Sequence, residues 1–276
     1  GVMGDEPDMV RKLKFGQLQM VGVTVSGIAQ LLPEMLVLNL PFLFNNYDEV
    51  DYVVGKMKPT FEKIAEDRGL YLFAMLDSGM ITAYSKNLVK TADEYIKQRV
   101  WIWNADPIAV KLAEVLGVNS VMLPVPEVLT SLQTGLIDTM FSSSTALVAL
   151  QWQTQMKYWY PITVRYDPAA MVATKKIWDK VSPENRPKFE KLNEELVQEF
   201  LRPFILDLRK TEKQIDEDLV REGHVKRVEF DPKSVEAMRK KAMATWQDLA
   251  GQLYPQELLD QVLGLLKEYR AAHPAQ

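Results

Sequence analysis

Two histidines, no cysteine and scattered carboxylates are what this 276-residue sequence offers for catalysis. Without cysteine there is no thiol nucleophile, thiolate metal site or disulfide. His224 and His273 both stand in polar C-terminal surroundings, so neither a metal cluster nor a Ser–His–Asp triad can be read. Asp216 and Asp218 lie close together, but on a long charged helix where carboxylates read as solvated. GVMGD is too short for a phosphate loop. What remains is binding chemistry. Trp101 and Trp103 are two apart in an apolar run, so they share one face of a strand; taken alone, such aromatics usually belong to a core. Phe141, Ser142 and Ser143 close another apolar run, where the hydroxyls can donate to a ligand or cap the next helix. Asp77 and Ser78 stand at a strand end before Gly79, open to ligand contact, and Asp106 fits the cap of a helix opening at Pro107. Gln151, Trp152, Tyr158 and Trp159 read as helical residues used for surface or interdomain packing.

The elements that must hold these groups are legible around residues 97–145. Val100 to Trp103 is apolar at every position, which indicates a strand covered on both faces, as in a parallel sheet. Pro107 starts a helix that Gly117 stops. A strand over 118–123, a helix from Pro126 to Gly135 and a strand over 136–141 follow. In such sheets ligands sit outside the carboxyl ends of the strands, here Trp103 to Asp106, Pro124 and Phe141 to Ser144. Upstream, helical spacing over 7–15 ends at Gly16, and a strand is expected over 19–25. Met35 to Leu40 is an apolar run, and 48–67 is a helix broken or kinked at Pro59. Separate strands are expected over 70–75 and 82–85, with a helix cap at Thr91–Glu94 between them and the central stretch.

Downstream of a strand over 170–174, the stretch from Pro183 to about residue 223 lacks glycine and is dominated by helix formers. Phe189, Leu192, Leu196 and Phe200 make one apolar stripe, and Ile215 and Leu219 a second. Pro203 should kink the helix between them. The economical reading is one helix whose halves pack on two different bodies. Two further helices start at Pro232 and Pro255. Length allows two domains, and 47% hydrophobic with 25% charged residues is ordinary for a globular protein. The balance of 33 basic and 37 acidic residues, −4, argues against nucleic acid as a partner. The uncharged run Thr139 to Met156 is interrupted by Gln, Ser and Thr, so no membrane insertion is expected. No signal peptide is readable at Gly1, and GVMGDEPDMV begins as if an upstream leader had been removed.

Several pieces together resemble the solute-binding proteins of tripartite ATP-independent periplasmic (TRAP) transporters, the DctP-type family. They are GDEPDMVRKLKFGQLQM, LPFLFNNYDEV, VWIWNADPIAVKLAEVLGV, PVPEVLTSLQTGLIDTMF and ATKKIWDKVSPE. The resemblance implies an α/β, periplasmic-binding-protein-like (type II) fold, with two α/β domains joined by hinge strands and a long domain-spanning helix. It also implies closure on a small-molecule ligand, delivery to a membrane permease, and a periplasmic location. Family members begin roughly 45 residues earlier with strands absent here, which leaves an exposed sheet edge; the resemblance leaves open whether processing removed the segment, this is a natural short form, or a partner supplies the strand. Most members carry an arginine where Trp101 falls, and a second near Ile81 or Met80; both anchors for a carboxylate are apolar here. Arg165, near the expected crossover strand, could serve a carboxylate from another direction or form a surface or hinge salt bridge.

The expected organisation is domain I at 1–78 plus 167–206 and domain II at 79–166 plus 207–276. The expected site is Trp101, Trp103, Asp77, Ser78, Ile81, Phe141, Ser142, Ser143 and Arg165, with no cofactor, no metal and no catalysis. The function this supports is a periplasmic solute receptor for a small, aromatic or apolar and possibly carboxylate-bearing ligand. The alternative is an accessory or interaction subunit of an efflux or envelope complex that no longer delivers solute.

Overall fold

A computed structural model describes residues 3–274. The first helix, α1 (Glu6–Lys14), opens where Asp5 accepts a hydrogen bond from the Glu6 amide at 3.0 Å and Asp8 answers the Asp5 amide at 3.3 Å, a reciprocal cap. After β1 (Met20–Thr24), the apolar run becomes a buried 3-10 helix, Pro33–Asn39. Asn46 caps α2 (Tyr47–Asp67), which runs through Pro59 without the expected break. The residue four back, whose carbonyl the proline ring must clear, is Gly55.

The two strands expected over 70–85 are one, β2 (Leu70–Ser85). α3 (Ala92–Ile96) then leads to the expected alternation of β3 (Val100–Trp103), α4 (Pro107–Leu116), β4 (Ser120–Leu123), α5 (Val128–Thr134) and β5 (Thr139–Ser142). A short α6 (Ser144–Ala149) and a 3-10 turn, Trp152–Gln155, precede β6 (Tyr158–Thr174). Tyr158 and Trp159 therefore stand in a strand, not in the helix expected for them.

Sheet order is β1-β6-β2-β5-β3-β4. β2 and β6 pair antiparallel along nearly their whole length, with register shifts at Leu72/Ala74, Asp77/Gly79 and Ile81/Ala83. β1 pairs with the far end of β6, Met20 opposite Ala173. β5 pairs with the other end of β2, Thr82 opposite Ser142, and runs parallel to β3, as does β4. Two long strands thus carry a sheet at each end. One core gathers Val21, Leu36, Val53, Phe61 and Val172; another gathers Trp101, Val128, Leu132, Met140 and Leu219. Each such buried aliphatic or aromatic side chain contributes ~1.5–3 kcal/mol.

The chain continues through α7 (Lys175–Trp178) into α8 (Arg186–Leu196), a π turn at Val197–Leu201, and α9 (Arg202–Arg221). Together α8 and α9 span about 50 Å at ~1.5 Å per residue. The π turn sits just before Pro203 and loosens the ladder where the proline ring would strike it. The second half packs as expected, Leu219 and Ile215 joining the second core. The first half does not: Phe189, Leu192, Leu196 and Phe200 are 45%, 59%, 48% and 64% exposed.

A two-residue strand, β7 (Lys226–Arg227), runs parallel to the start of β6. α10 (Pro232–Leu249) lies on α4, with Trp246 Nε1–H donating to Pro41 O at 3.0 Å. α11 (Gln256–Ala272) departs from the expected division of the chain. It packs against α2, through Leu259 and Val262 and through Arg270 bonded to both Glu49 oxygens at 2.7 Å, and so belongs with the first body.

Candidate binding site

A cavity of about 230 Å³ lies at the carboxyl ends of β3 and β5, above the crossing of β2 and β6. Eight of the nine expected residues line it: Trp101, Trp103, Ser78, Ile81, Phe141, Ser142, Ser143 and Arg165.

Trp101 is set from two sides. Its Nε1–H donates to Leu123 O at 3.0 Å, and its ring meets Trp152 edge-on at 5.2 Å. At 8% exposure it belongs to the second core while forming a cavity wall. Trp103, on the same strand face, sends its Nε1–H to Asp5 Oδ2 at 2.9 Å and so ties β3 to the cap of α1. Phe141 rests against Tyr95 at 5.1 Å. Ser143 accepts from the Ala146 amide at 3.3 Å, the cap role, and Ser142 donates to Ser143 O at 3.0 Å, so both hydroxyls have protein partners. Phe42 also lines the cavity, in the left-handed region at φ 57, its amide held by Val164 O at 2.7 Å.

Ile81 and Arg165 face each other across the β2–β6 ladder. Arg165 forms a buried ion pair with Asp106 and donates to Asn39 Oδ1 at 2.8 Å. Asp106 in turn caps α4 by accepting from the Ala109 amide at 2.9 Å. One carboxylate thus fixes a helix start and occupies the guanidinium beside it.

Asp77 is not brought to the cavity. It accepts from Arg209 Nε at 2.6 Å and from Tyr166 OH at 2.6 Å, inside a network beneath the crossing strands. Asp51 belongs to the same network: Arg209 reaches its two oxygens at 2.8 and 3.0 Å, and Arg202 donates to it from the previous turns of α9. Burial works against the Asp51 charge, but the two guanidinium groups override it and hold the carboxyl at about 2. Further along α9, Glu212 accepts from the Met80 amide at 3.1 Å and from Tyr47 OH, and burial pushes its carboxyl up to about 7. Gly79 beside it is at φ +123, and a Cβ there would collide with Glu212 Oε1. Asp216 is not the solvated carboxylate expected from its helix; Tyr84 OH donates to it at 3.1 Å, as does Ser144 Oγ, and burial raises its carboxyl.

Sequence reasoning missed Glu6, Asp167 and Ser26 and gave Trp152 a packing role; all four line the cavity. Glu6 accepts from the amide and hydroxyl of Thr24 at 3.0 and 2.6 Å. Gly27 makes room for it, since a Cβ at that position would collide with Glu6 Oε2. Asp167 accepts from Asn39 Nδ2 at 2.9 Å. Ser26 Oγ is buried without a protein partner. Among the described residues no group of three or more His, Asp or Glu could hold a metal, and no helix is long and apolar enough to cross a membrane.

Residues 1–252 match the family described as bacterial extracellular solute-binding protein, family 7, the DctP family. The chain belongs to it. The TRAP periplasmic solute-binding protein of a Bradyrhizobium species, solved with galacturonate, superposes with a TM-score of 0.83 at 24% identity, over 97% of this chain and 86% of that one. Its counterpart from Shewanella oneidensis, solved with succinate, gives 0.83 at 15% identity, over 95% and 84%. Likeness at this level of identity concerns the fold: two domains of mixed α/β structure, as expected for a DctP protein. A solute-binding protein of Chromohalobacter salexigens is 23% identical over 201 residues, 72% of this chain and 59% of that protein. The 2,3-diketo-L-gulonate-binding periplasmic protein of Escherichia coli is 25% identical over 184 residues, 66% and 56%. The matches thus span less than two thirds of the curated relatives' length. As DctP proteins, the relatives are binding proteins and not enzymes.

Proposed function

We propose that this DctP protein is the periplasmic solute receptor of a TRAP-type transporter, and that it captures a small molecule with an aromatic or apolar body and hands it to a membrane permease. The observation that carries this reading is the cavity at the strand ends, walled by Phe42 and Thr24 from one sheet end and Trp101, Trp103 and Phe141 from the other. Closure would rotate the two bodies about β2 and β6, dividing near residues 78–79 and 166–167, where the register shift at Asp77/Gly79 already bends the ladder. The structural neighbours named above were solved with galacturonate and succinate. A ligand of that kind would here find Arg165 alone among the lining cations, with Asp106 already on it. Each charge-assisted hydrogen bond forgone weakens binding by ~1.5–3 kcal/mol, whereas flat apolar area against indole returns roughly 25 cal/mol per Å².

Native mass spectrometry of the purified protein, followed by calorimetry with the molecule it retains, tests the reading. Trp101→Ala is expected to weaken binding at least about tenfold. Because Trp101 is also core, Trp101→Phe accompanies it, with circular dichroism to show both variants folded; unchanged affinity in both would remove Trp101 from the site. The interaction-subunit reading has one observation in its favour, the exposed stripe Phe189, Leu192, Leu196 and Phe200. Stable oligomers that Phe200→Ser dissolves, with no small molecule retained, would select it.

A further inference from the structure

Four charged side chains line the cavity: Glu6, Asp106, Asp167 and Arg165. Arg165 and Asp106 neutralise each other. Glu6 and Asp167 are left without a salt-bridge partner among the described residues, on two elements in contact with each other, α1 and β6. Their neighbours are Thr24 on β1, Ser78 on β2, Asn39 on the 3-10 helix, and the charged groups Asp5, Asp106 and Arg165. Burial, with the other carboxylates nearby, pushes Glu6 up to about 7 against the bonds from Thr24. Burial pushes Asp167 up to about 6, with Asp106 adding to the effect and Arg165 opposing it. Glu6 Oε1 takes no donor among the described residues, and Ser26 Oγ is a second acceptor without a partner.

We propose that the cavity recognises its ligand by a cationic nitrogen head, an ammonium or amidinium, seated on the carboxylates of Glu6 and Asp167 and on Ser26 Oγ, with the apolar body against Trp101 and Phe141. This rests on the receptor reading and specifies its ligand class. An ammonium carries three donors and no acceptor, which suits a pocket end that presents two carboxylates and a hydroxyl. It also supplies the positive charge that the lining lacks, at a site where desolvation strengthens the attraction. An anionic head would instead bring further negative charge toward two buried carboxylates. The aromatic walls fit the same choice, since ring faces attract cations.

The test is calorimetry with three probes of matched body: 2-phenylethylamine, 2-phenylethanol and 3-phenylpropionate. The amine is expected to bind roughly tenfold or more tightly than either of the others, the ratio set by one charge-assisted bond. Its affinity is expected to rise between about pH 5.5 and about pH 8 as Glu6 and Asp167 ionise, with protons released on binding. Glu6→Gln and Asp167→Asn should each remove most of the preference and flatten the pH dependence. An acid that binds as tightly as the amine, or an amine whose affinity ignores both pH and Glu6→Gln, overturns the proposal while leaving the receptor reading intact. If no probe binds and mass spectrometry finds no retained molecule, both fail together.

Discussion

Two pairs of carboxylates in this molecule, Asp51 with Asp77 and Glu6 with Asp167, meet opposite surroundings. Beneath the hinge, Asp51 and Asp77 share Arg209, Asp51 also takes Arg202, and Asp51 is held down to about 2. In the cavity, Glu6 and Asp167 have hydroxyl and amide donors but no guanidinium of their own, and they are pushed up to about 7 and about 6. Burial is common to both places. The difference is cations: Asp51 and Asp77 are paired with guanidinium groups and complete a structure, whereas Glu212, also on the hinge side, has none and is pushed up to about 7 like the cavity acids. The cavity acids can still take a partner. The α9 residues Arg202, Arg209, Glu212 and Asp216 follow helical spacing, so one helix face holds α2 at Asp51 and follows β2 from Asp77 to Tyr84.

The contrast can be broken most forcefully at Arg209, which is 10% exposed against 7% for Asp77. Arg209→Met strands Asp77 and leaves Asp51 to Arg202 alone, and urea unfolding is expected to show a loss of about 3–5 kcal/mol. Glu6→Gln, by comparison, should leave stability equal or higher near neutral pH, because it removes a charge that burial disfavours. A loss in Glu6→Gln as large as in Arg209→Met would erase the distinction.

The second test is pH. Glu6 is raised from 4.5 to about 7 in the fold, so its contribution is fully present below about 4.5 and is lost as pH rises through about 7. Stability should therefore fall on going from pH 5 to pH 8, by a few kcal/mol at most from this group at ~1.4 kcal/mol per pKa unit. Glu6→Gln should flatten that slope in thermal melts. Asp51 acts in the opposite sense, its contribution disappearing only as pH falls below about 4 toward about 2. A smaller effect is expected at the boundary of the two bodies. Gly79→Ala must place a Cβ against Glu212 at positive φ, costing ~1–3 kcal/mol, and should be read by urea denaturation alongside ligand affinity.

Much of this arrangement was legible in the sequence. The continuous apolar run of β3, with Pro107 and Gly117 bracketing α4, fixed the strand ends, and a spacing of two put both indoles on the cavity side. The errors have a common cause. Asp77 looked like a cleft residue because it ends an apolar run, but its partners Tyr166 and Arg209 lie far away in sequence, and the register shift at Asp77/Gly79 turns it beneath the sheet. Glu6 carried no signal beyond that of an acid in a first helical turn, where the helix dipole alone would favour it. The stripe on α8 had the right period for a buried face, yet period reports amphipathicity and not whether this chain supplies the covering surface.

The most direct measurement is the crystal structure of the protein as purified, with no ligand added. The expected result is density for a small molecule between Trp101, Phe141 and Glu6, its polar end toward the carboxylate. A Trp101 ring turned wholly into the second core, with protein side chains filling the space beside it, would contradict the account.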